Sequence, residues 1–234
     1  MSACLEIAPD LLLDGHLALF HRRQSWLAVA DLHFGFESNR RREGALWPMW
    51  GMGTVAERLA RLVGAHRPET LVLVGDVVDG AAALSEAVAW LATVAELCER
   101  VVLVEGNHDR GEVRRRLAWV PSFATGGFVF EHGHLPPSEA ASAPGATRVR
   151  GHLHPSVRMA DGAGTSLRLP ALVEVGGGGE DAGRELILPA FSPWAGGGRY
   201  DAPPGARVRR WACSPARVFE VPEEVAGTAS GRRR

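Results

Sequence analysis

"ETLVLVGD", residues 69–76, reads as a buried β-strand that ends on an acid. Its apolar run, residues 71–74, suits a strand covered on both faces, and Gly75-Asp76 then turns the chain into a polar loop. Upstream, "TVAERLARLVGAHRP" places Val55, Leu59, Leu62 and Val63 on one helical face, with Pro68 beyond its end. Downstream, "ALSEAVAWLATVAELCER" repeats Leu84, Ala87, Val88, Leu91, Val94, Ala95 and Cys98 at helical spacing. Outside these helices lie two more strand-then-polar-loop units, "SWLAVADLH" and "VVLVEGNHD". Strand and helix thus alternate through the first half, which predicts parallel strands joined by helical crossovers.

The pattern changes on either side. At the start, "DLLLDGHLALF" sets Asp14-Gly15 between two apolar runs, a hairpin signal. From "GGFVFEHGH" onward short β-rich runs dominate: residues 128–130, 147–150, 166–175, 185–188 and the pair within "RVRRWACSPARVFEV". These predict a second, mostly antiparallel sheet packed on the first. "PPSEAASAPGA" and "VGGGGEDAG" have loop composition, and the tail "GTASGRRR" reads as disordered. The expected organisation is one domain over residues 1–226, with a disordered tail at 227–234.

The chain has 234 residues, 46% hydrophobic and 23% charged, enough for an ordinary globular core. Its net charge of −1 argues against a broadly basic nucleic-acid binder, while leaving room for a local patch. Cys4, Cys98 and Cys213 stand far apart with no C-x-x-C, which fits a reducing compartment. Cys98 is read as a small core residue of its helix. No stretch reaches the ~18 apolar residues of a membrane helix. The N-terminus also lacks the basic start of a signal peptide, so the expected location is the cytoplasm.

Chemistry-bearing residues gather just past the strands. They are Asp31 and His33 in "VADLHFG", Asp76 in "LVGDVVDG", Asn107, His108 and Asp109 in "VEGNHDR", His132 in "FEHGH", and His152 and His154 in "VRGHLHPSV". In a strand, residues two apart face one way, so His152 and His154 would aim at one spot. Taken singly, each acid reads equally as a cap or turn residue, and each histidine as a semi-buried or surface one. Together they would meet at the carboxyl edge of the sheet, where α/β folds bind ligands. His16, His21 and His66 fall outside these loops and read as surface or hairpin residues. Like charges on one edge need a cation. Carboxylates, imidazoles and an amide without a thiolate suit Mn²⁺, with Fe or Zn²⁺ as alternatives. Asp31, His33, Asp76, Asn107, His132, His152 and His154 exceed the needs of one ion. They suit two ions roughly 3.5–4 Å apart.

In this order, "DLH", "GDVVD", "GNHD", "HGH" and "GHLH" resemble the signature of the calcineurin-like metallophosphoesterases. The resemblance implies an α/β (α+β) fold, a four-layer αββα sandwich of two mixed β-sheets flanked by helices. It implies Asp31, His33 and His154 on a first metal, Asn107, His132 and His152 on a second, and Asp76 bridging both. It also implies His108 facing the scissile phosphate, and Asp109 as the acid that orients His108. His134 matches no ligand position. More softly, "RRREG", "GHLHPSVRM", "LRLPAL" and "LILPAFSPWAGG" resemble the bacterial DNA-ligase-associated, ICC-like phosphoesterases. There the second motif often ends in histidine, where this chain has Asp79, outside the ligand set.

The resemblance implies a phosphodiesterase acting on nucleotide or nucleic-acid diesters by attack of a metal-bridging hydroxide, with a functional link to a DNA ligase or helicase. A phosphomonoesterase, or a non-catalytic metal-stabilised scaffold in a DNA-repair assembly, are the alternatives. Arg40, Arg41 and Arg42 are candidates for a phosphate-binding rim, against a plain solvated helix face. Trp47, Trp50 and Trp194 are candidates for base stacking, against core packing.

Overall fold

The computed structural model describes residues 3–160, 165–176 and 183–222. The first sheet runs in chain order: β1 (Cys4–Ala8), β2 (Leu11–Asp14), β3 (Ala18–His21), β4 (Trp26–Ala30), β5 (Thr70–Val74), β6 (Arg100–Val104) and β7 (Trp119–Val120). Strands β1 to β4 form an antiparallel meander; β4 to β7 are parallel. The parallel strands are joined through α1 (Phe36–Arg42), α2 (Gly51–His66), α3 (Leu84–Ala95) and α4 (Gly111–Arg116). The predicted βαβ alternation is therefore present. No described helix is long and apolar enough to cross a membrane.

Helix α2 buries Val55, Leu59, Leu62 and Val63, the predicted face. Its start carries no side-chain cap of its own. The buried Glu37 of α1 supplies one instead, accepting the Met52 N–H at 2.7 Å and the Trp194 indole N–H at 3.0 Å. An acid there also meets the positive end of the helix dipole. Its end is set by Arg67, left-handed at φ 47°, whose N–H returns to Val63 O. Helix α3 stops at Ala95, so Cys98 lies beyond it, half-buried, and is not a residue of the helix face as the spacing suggested.

The second sheet contains β8 (Phe123–Thr125), β9 (Phe128–Glu131), β10 (Thr147–Arg150), β11 (Ser156–Ala160), β12 (Ser166–Gly176), β13 (Arg184–Ile187), β14 (Arg207–Ser214) and β15 (Arg217–Glu220). Its order is β15-β14-β12-β13-β10-β9-β8, with β11 on β12. The sheet is mixed: β9, β10 and β13 are parallel, the rest antiparallel. The two sheets pack face to face, giving the expected α/β sandwich of two mixed sheets with flanking helices. Trp26 of the first sheet meets Phe128 and Phe130 of the second edge-on, each with ring centroids 5.0 Å apart.

Along β10 and β13, Val149 and Leu186 face this core while Arg148, Arg150 and Glu185 point away. There Arg148 bonds Glu131 at 2.8 Å and Glu185 at 3.0 Å. The loop with the composition "PPSEAASAPGA" covers that face, its flank giving Leu135 O to Arg148 and its Ser138 N–H to Glu131. "VGGGGEDAG" (in large part) and "GTASGRRR" lie outside the described residues.

Candidate metal centre

The polar tips do meet. Asp31 and His33 follow β4, Asp76 follows β5, Asn107 and His108 follow β6, His132 follows β9, and His152 and His154 follow β10. The parallel direction of β4, β5 and β6 brings three of these tips to one edge, and face-to-face packing adds those of β9 and β10.

Two three-residue groups result. Donor atoms of Asp31, His33 and His154 lie within 4.8 Å of one another, and so do those of Asp76, His132 and His152. Asp76 stands between them: its Oδ2 is 3.3 Å from His132 Nε2 and 3.8 Å from His33 Nε2. Asn107 Oδ1 joins the second group, 3.0 Å from His132 Nε2. His152 and His154 are thus divided one to each group. The reason differs from strand alternation, because both residues lie past the end of β10. Each has left-handed backbone, at φ 71° and 45°, and it is this turn that aims the rings.

The loops are laced together by the same carboxylates. Asp31 accepts the His152 N–H with both oxygens at 3.0 Å. Asp76 Oδ1 accepts the His108 N–H at 2.8 Å, leaving Oδ2 toward the histidines. These approaches need glycine beside them. A Cβ on Gly106 would strike the Asp76 backbone, and one on Gly151 would strike Asp31.

Asp109 occupies a different place from the one the resemblance implies. Its carboxylate accepts the N–H groups of Val77 and Val78, each at 3.1 Å, and of Gly106 at 2.9 Å. It clamps the loop after β5 to the loop after β6 and makes no described contact with the His108 ring. The acid beside that ring is Asp79, whose Oδ1 is 3.1 Å from His108 Nδ1 and 3.5 Å from His33 Nδ1. Spacing in the chain carried no signal of this, since Asp79 and His108 are brought together only by the neighbouring strands. His134, unassigned from sequence, places its ring 5.3 Å from that of His132.

Charge follows geometry. Burial works to raise Asp76, but the bond and charge of His132 outweigh it and hold the carboxyl far below its usual range. Asp79 is held low in the same way, burial opposing and the His33 bond prevailing. Burial likewise opposes protonation of His33 and His132, yet Asp79 and Asp76 respectively raise them. His152 is lowered by burial and by the His132 charge. Burial pushes Asp109 up to about 7.

Buried His33 Nε2 and His154 Nε2 have no hydrogen-bond partner among the described residues. Orphaned imidazole nitrogens beside acids, on the edge where β4 and β5 end, are what a cation would satisfy. The donor set holds no sulfur. The residues present fit divalent ions in both groups.

The other candidates fall elsewhere. Arg40 is tied to Glu43 at 2.7 Å and lies over the Phe36 ring, while Arg41 and Arg42 are exposed on α1. Trp47, Trp50 and Trp194 pack on one another with Phe36. His16 and His21 do belong to the hairpin region, as expected, but His21 is buried against Trp26, and His16 and His66 both meet the buried Asp14. A cavity of ≈ 190 Å³ beside His154 is lined in part by Arg58 and Arg168. Each donates to backbone carbonyls, Arg58 to Phe191 and Arg168 to Gly196 and Gly197.

The sequence profile of the calcineurin-like phosphoesterases matches residues 26–216. No protein of curated function matches the chain. Among solved structures, the crystal structure of the Pseudomonas putida nuclease MPE is similar, with 25% identity and a TM-score of 0.63 over 94% of this chain and 100% of that one. The phosphoesterase YfcE from E. coli is 19% identical with a TM-score of 0.43, over 79% of this chain and 86% of that one.

Proposed function

The chain belongs to the calcineurin-like phosphoesterase family, and from that membership we propose that it is a two-metal phosphodiesterase acting on nucleotide or nucleic-acid diesters. The observation that carries the reading is Asp76, one carboxylate standing between two complete groups of imidazole and carboxylate donors. Asp31, His33 and His154 would hold one ion; Asn107, His132 and His152 the other; Asp76 would touch both. Mn²⁺ is favoured by oxygen and imidazole donors without thiolate. When bound, such ions supply an acidified water and stabilise charge on the phosphoryl oxygens.

The remaining work belongs to the chain's own residues. His108 is exposed at the mouth of the site, while its Nδ1 is held by Asp79. That leaves Nε2 to give its proton to the departing oxygen, with Asp79 stabilising the imidazolium. Proton transfer of this kind is typically worth ~10²–10⁴-fold. No serine or cysteine nucleophile is required. Asp109 keeps the two loops in register and acts through position. A diester is favoured over a monoester by the similarity to a nuclease. We place this activity in a single catalytic domain built from both sheets.

The test is hydrolysis of bis-p-nitrophenyl phosphate and of p-nitrophenyl phosphate with Mn²⁺, before and after EDTA. The diester should be cleaved faster, only with metal. Protein carrying both ions yet inert to every phosphoester would reject an enzymatic reading.

A further inference from the structure

Away from this edge, a second donor set converges on Asp14. This carboxylate is fully buried, at 0% exposure. Its cross-strand partner in the β1–β2 register is Cys4, whose thiol lies 3.2 Å from Asp14 Oδ2. His66, the last residue of α2, brings Nε2 to 2.8 Å from the same oxygen. His16, in the hairpin turn, occupies the other oxygen through its backbone N–H at 2.8 Å and lies with Nδ1 at 3.1 Å. The Phe20 ring packs on His66 at 4.7 Å between centroids and fixes its plane. The Cys4, Asp14 and His66 donor atoms all lie within 4.8 Å of one another.

From this arrangement we propose a zinc site, separate from the catalytic centre, with Cys4 Sγ, Asp14 Oδ2 and His66 Nε2 as ligands and His16 orienting the carboxylate. Thiolate, imidazole and carboxylate are the donors zinc takes, at about 2.0–2.3 Å. Tetrahedral placement at those lengths sets donors roughly 3.3–3.6 Å apart. The observed 2.8 and 3.2 Å need roughly half an ångström of opening to reach that spacing, within side-chain reach. The ion would replace the protons that now hold the thiol and imidazole against Asp14. It would also sit at the carboxyl end of α2, where the helix dipole favours positive charge. Entry is from the side of Cys4, which is exposed. Because β1, β2 and α2 each contribute one ligand, zinc would staple the N-terminal hairpin to the first crossover helix.

Cobalt separates this site from the catalytic one. The catalytic donors are nitrogen and oxygen only, so a sulfur-to-Co²⁺ charge-transfer absorption in the near ultraviolet can arise only from a cysteine. Metal-free full-length protein titrated with Co²⁺ should develop that band in proportion to one ion per chain. It should persist in Asp76→Asn, vanish in Cys4→Ser, and be displaced by Zn²⁺. In His66→Asn it should need at least tenfold more Co²⁺. Cys98 and Cys213 remain in Cys4→Ser and serve as internal controls. No band in the wild-type protein, a band that survives Cys4→Ser, or unchanged Co²⁺ affinity in His66→Asn would each overturn the proposal.

Discussion

Replacing Asp79 by asparagine tests which acid serves His108. Asp79 Oδ1 stands 3.1 Å from His108 Nδ1, whereas Asp109 is engaged by three backbone N–H groups. Asparagine keeps the size and one oxygen but removes the charge. A hydrogen bond to a charged group contributes about 1.5–3 kcal/mol. Asparagine leaves a neutral bond worth about 0.5–1.5 kcal/mol, so if the difference of about 1–1.5 kcal/mol is realised as His108 carries its proton to the leaving oxygen, kcat falls by about 5- to 13-fold, at 1.36 kcal/mol per tenfold. The assay is turnover on two diesters, one releasing nitrophenolate and one releasing an alkoxide. Nitrophenolate departs without a proton, so its loss should be the smaller. Metal content is measured on the same samples, since Asp79 also stands 3.5 Å from His33 Nδ1. The expected outcome is two ions retained with a leaving-group-dependent loss. Full turnover on both diesters, or an equal loss on both, refutes the assignment. The companion Asp109→Ala should instead lower thermal stability, because each of the buried N–H groups it strands costs about 1–3 kcal/mol.

Asp76→Asn should abolish turnover and reduce bound metal, read by elemental analysis; an active variant with two ions removes the bridging role. His108→Asn should keep both ions and lose ~10²–10⁴-fold in turnover, and loss of metal instead would make His108 a ligand. Removing metal should lower Tm: at 100 times Kd an ion adds about 2.7 kcal/mol, or about 5–10 °C for a chain of this size by scanning calorimetry. The metal-free chain should also melt lower as pH rises. His33 and His132 are raised in the fold, so their contribution is complete below about 6.5 and is lost as pH passes their folded values. A metal-free Tm that rises between about pH 6 and about pH 9 would contradict that sign.

Much of the fold was legible because apolar periodicity reports burial directly. The face of α2 from Val55 to Val63, the strands at 26–30 and 71–74, and the β-rich second half all follow from pattern. What pattern could not show was contact between distant loops. The pairing of Asp79 with His108 spans strands β5 and β6, and neither residue's neighbours in sequence encode it. The end of α3 at Ala95 was hidden for another reason: apolar residues continue at helical spacing to Cys98 after the helix has stopped. His66 and His16 read as ordinary surface or hairpin residues because their shared partner, Asp14, reads as a hairpin turn residue and only the packing of α2 reveals it as buried.

The site's backbone explains how its ligands are aimed. Among the described residues nine non-glycine positions have positive φ, and five of them are Asp31, His33, Asp76, His152 and His154. Left-handed backbone costs roughly 1–2 kcal/mol for an ordinary side chain, less for Asp and His, which tolerate it better. Even discounted, the sum over five residues is a few kcal/mol, a sizeable share of a domain's net stability of about 5–15 kcal/mol, so the loops do not hold this shape by local preference. The two acids resist it with their own oxygens: Asp31 takes the N–H of His152, and Asp76 takes that of His108 while its second oxygen faces the histidines. Each carboxylate therefore fixes the backbone of a neighbouring loop and offers charge to the shared space. Mutating either acid therefore perturbs geometry and charge together.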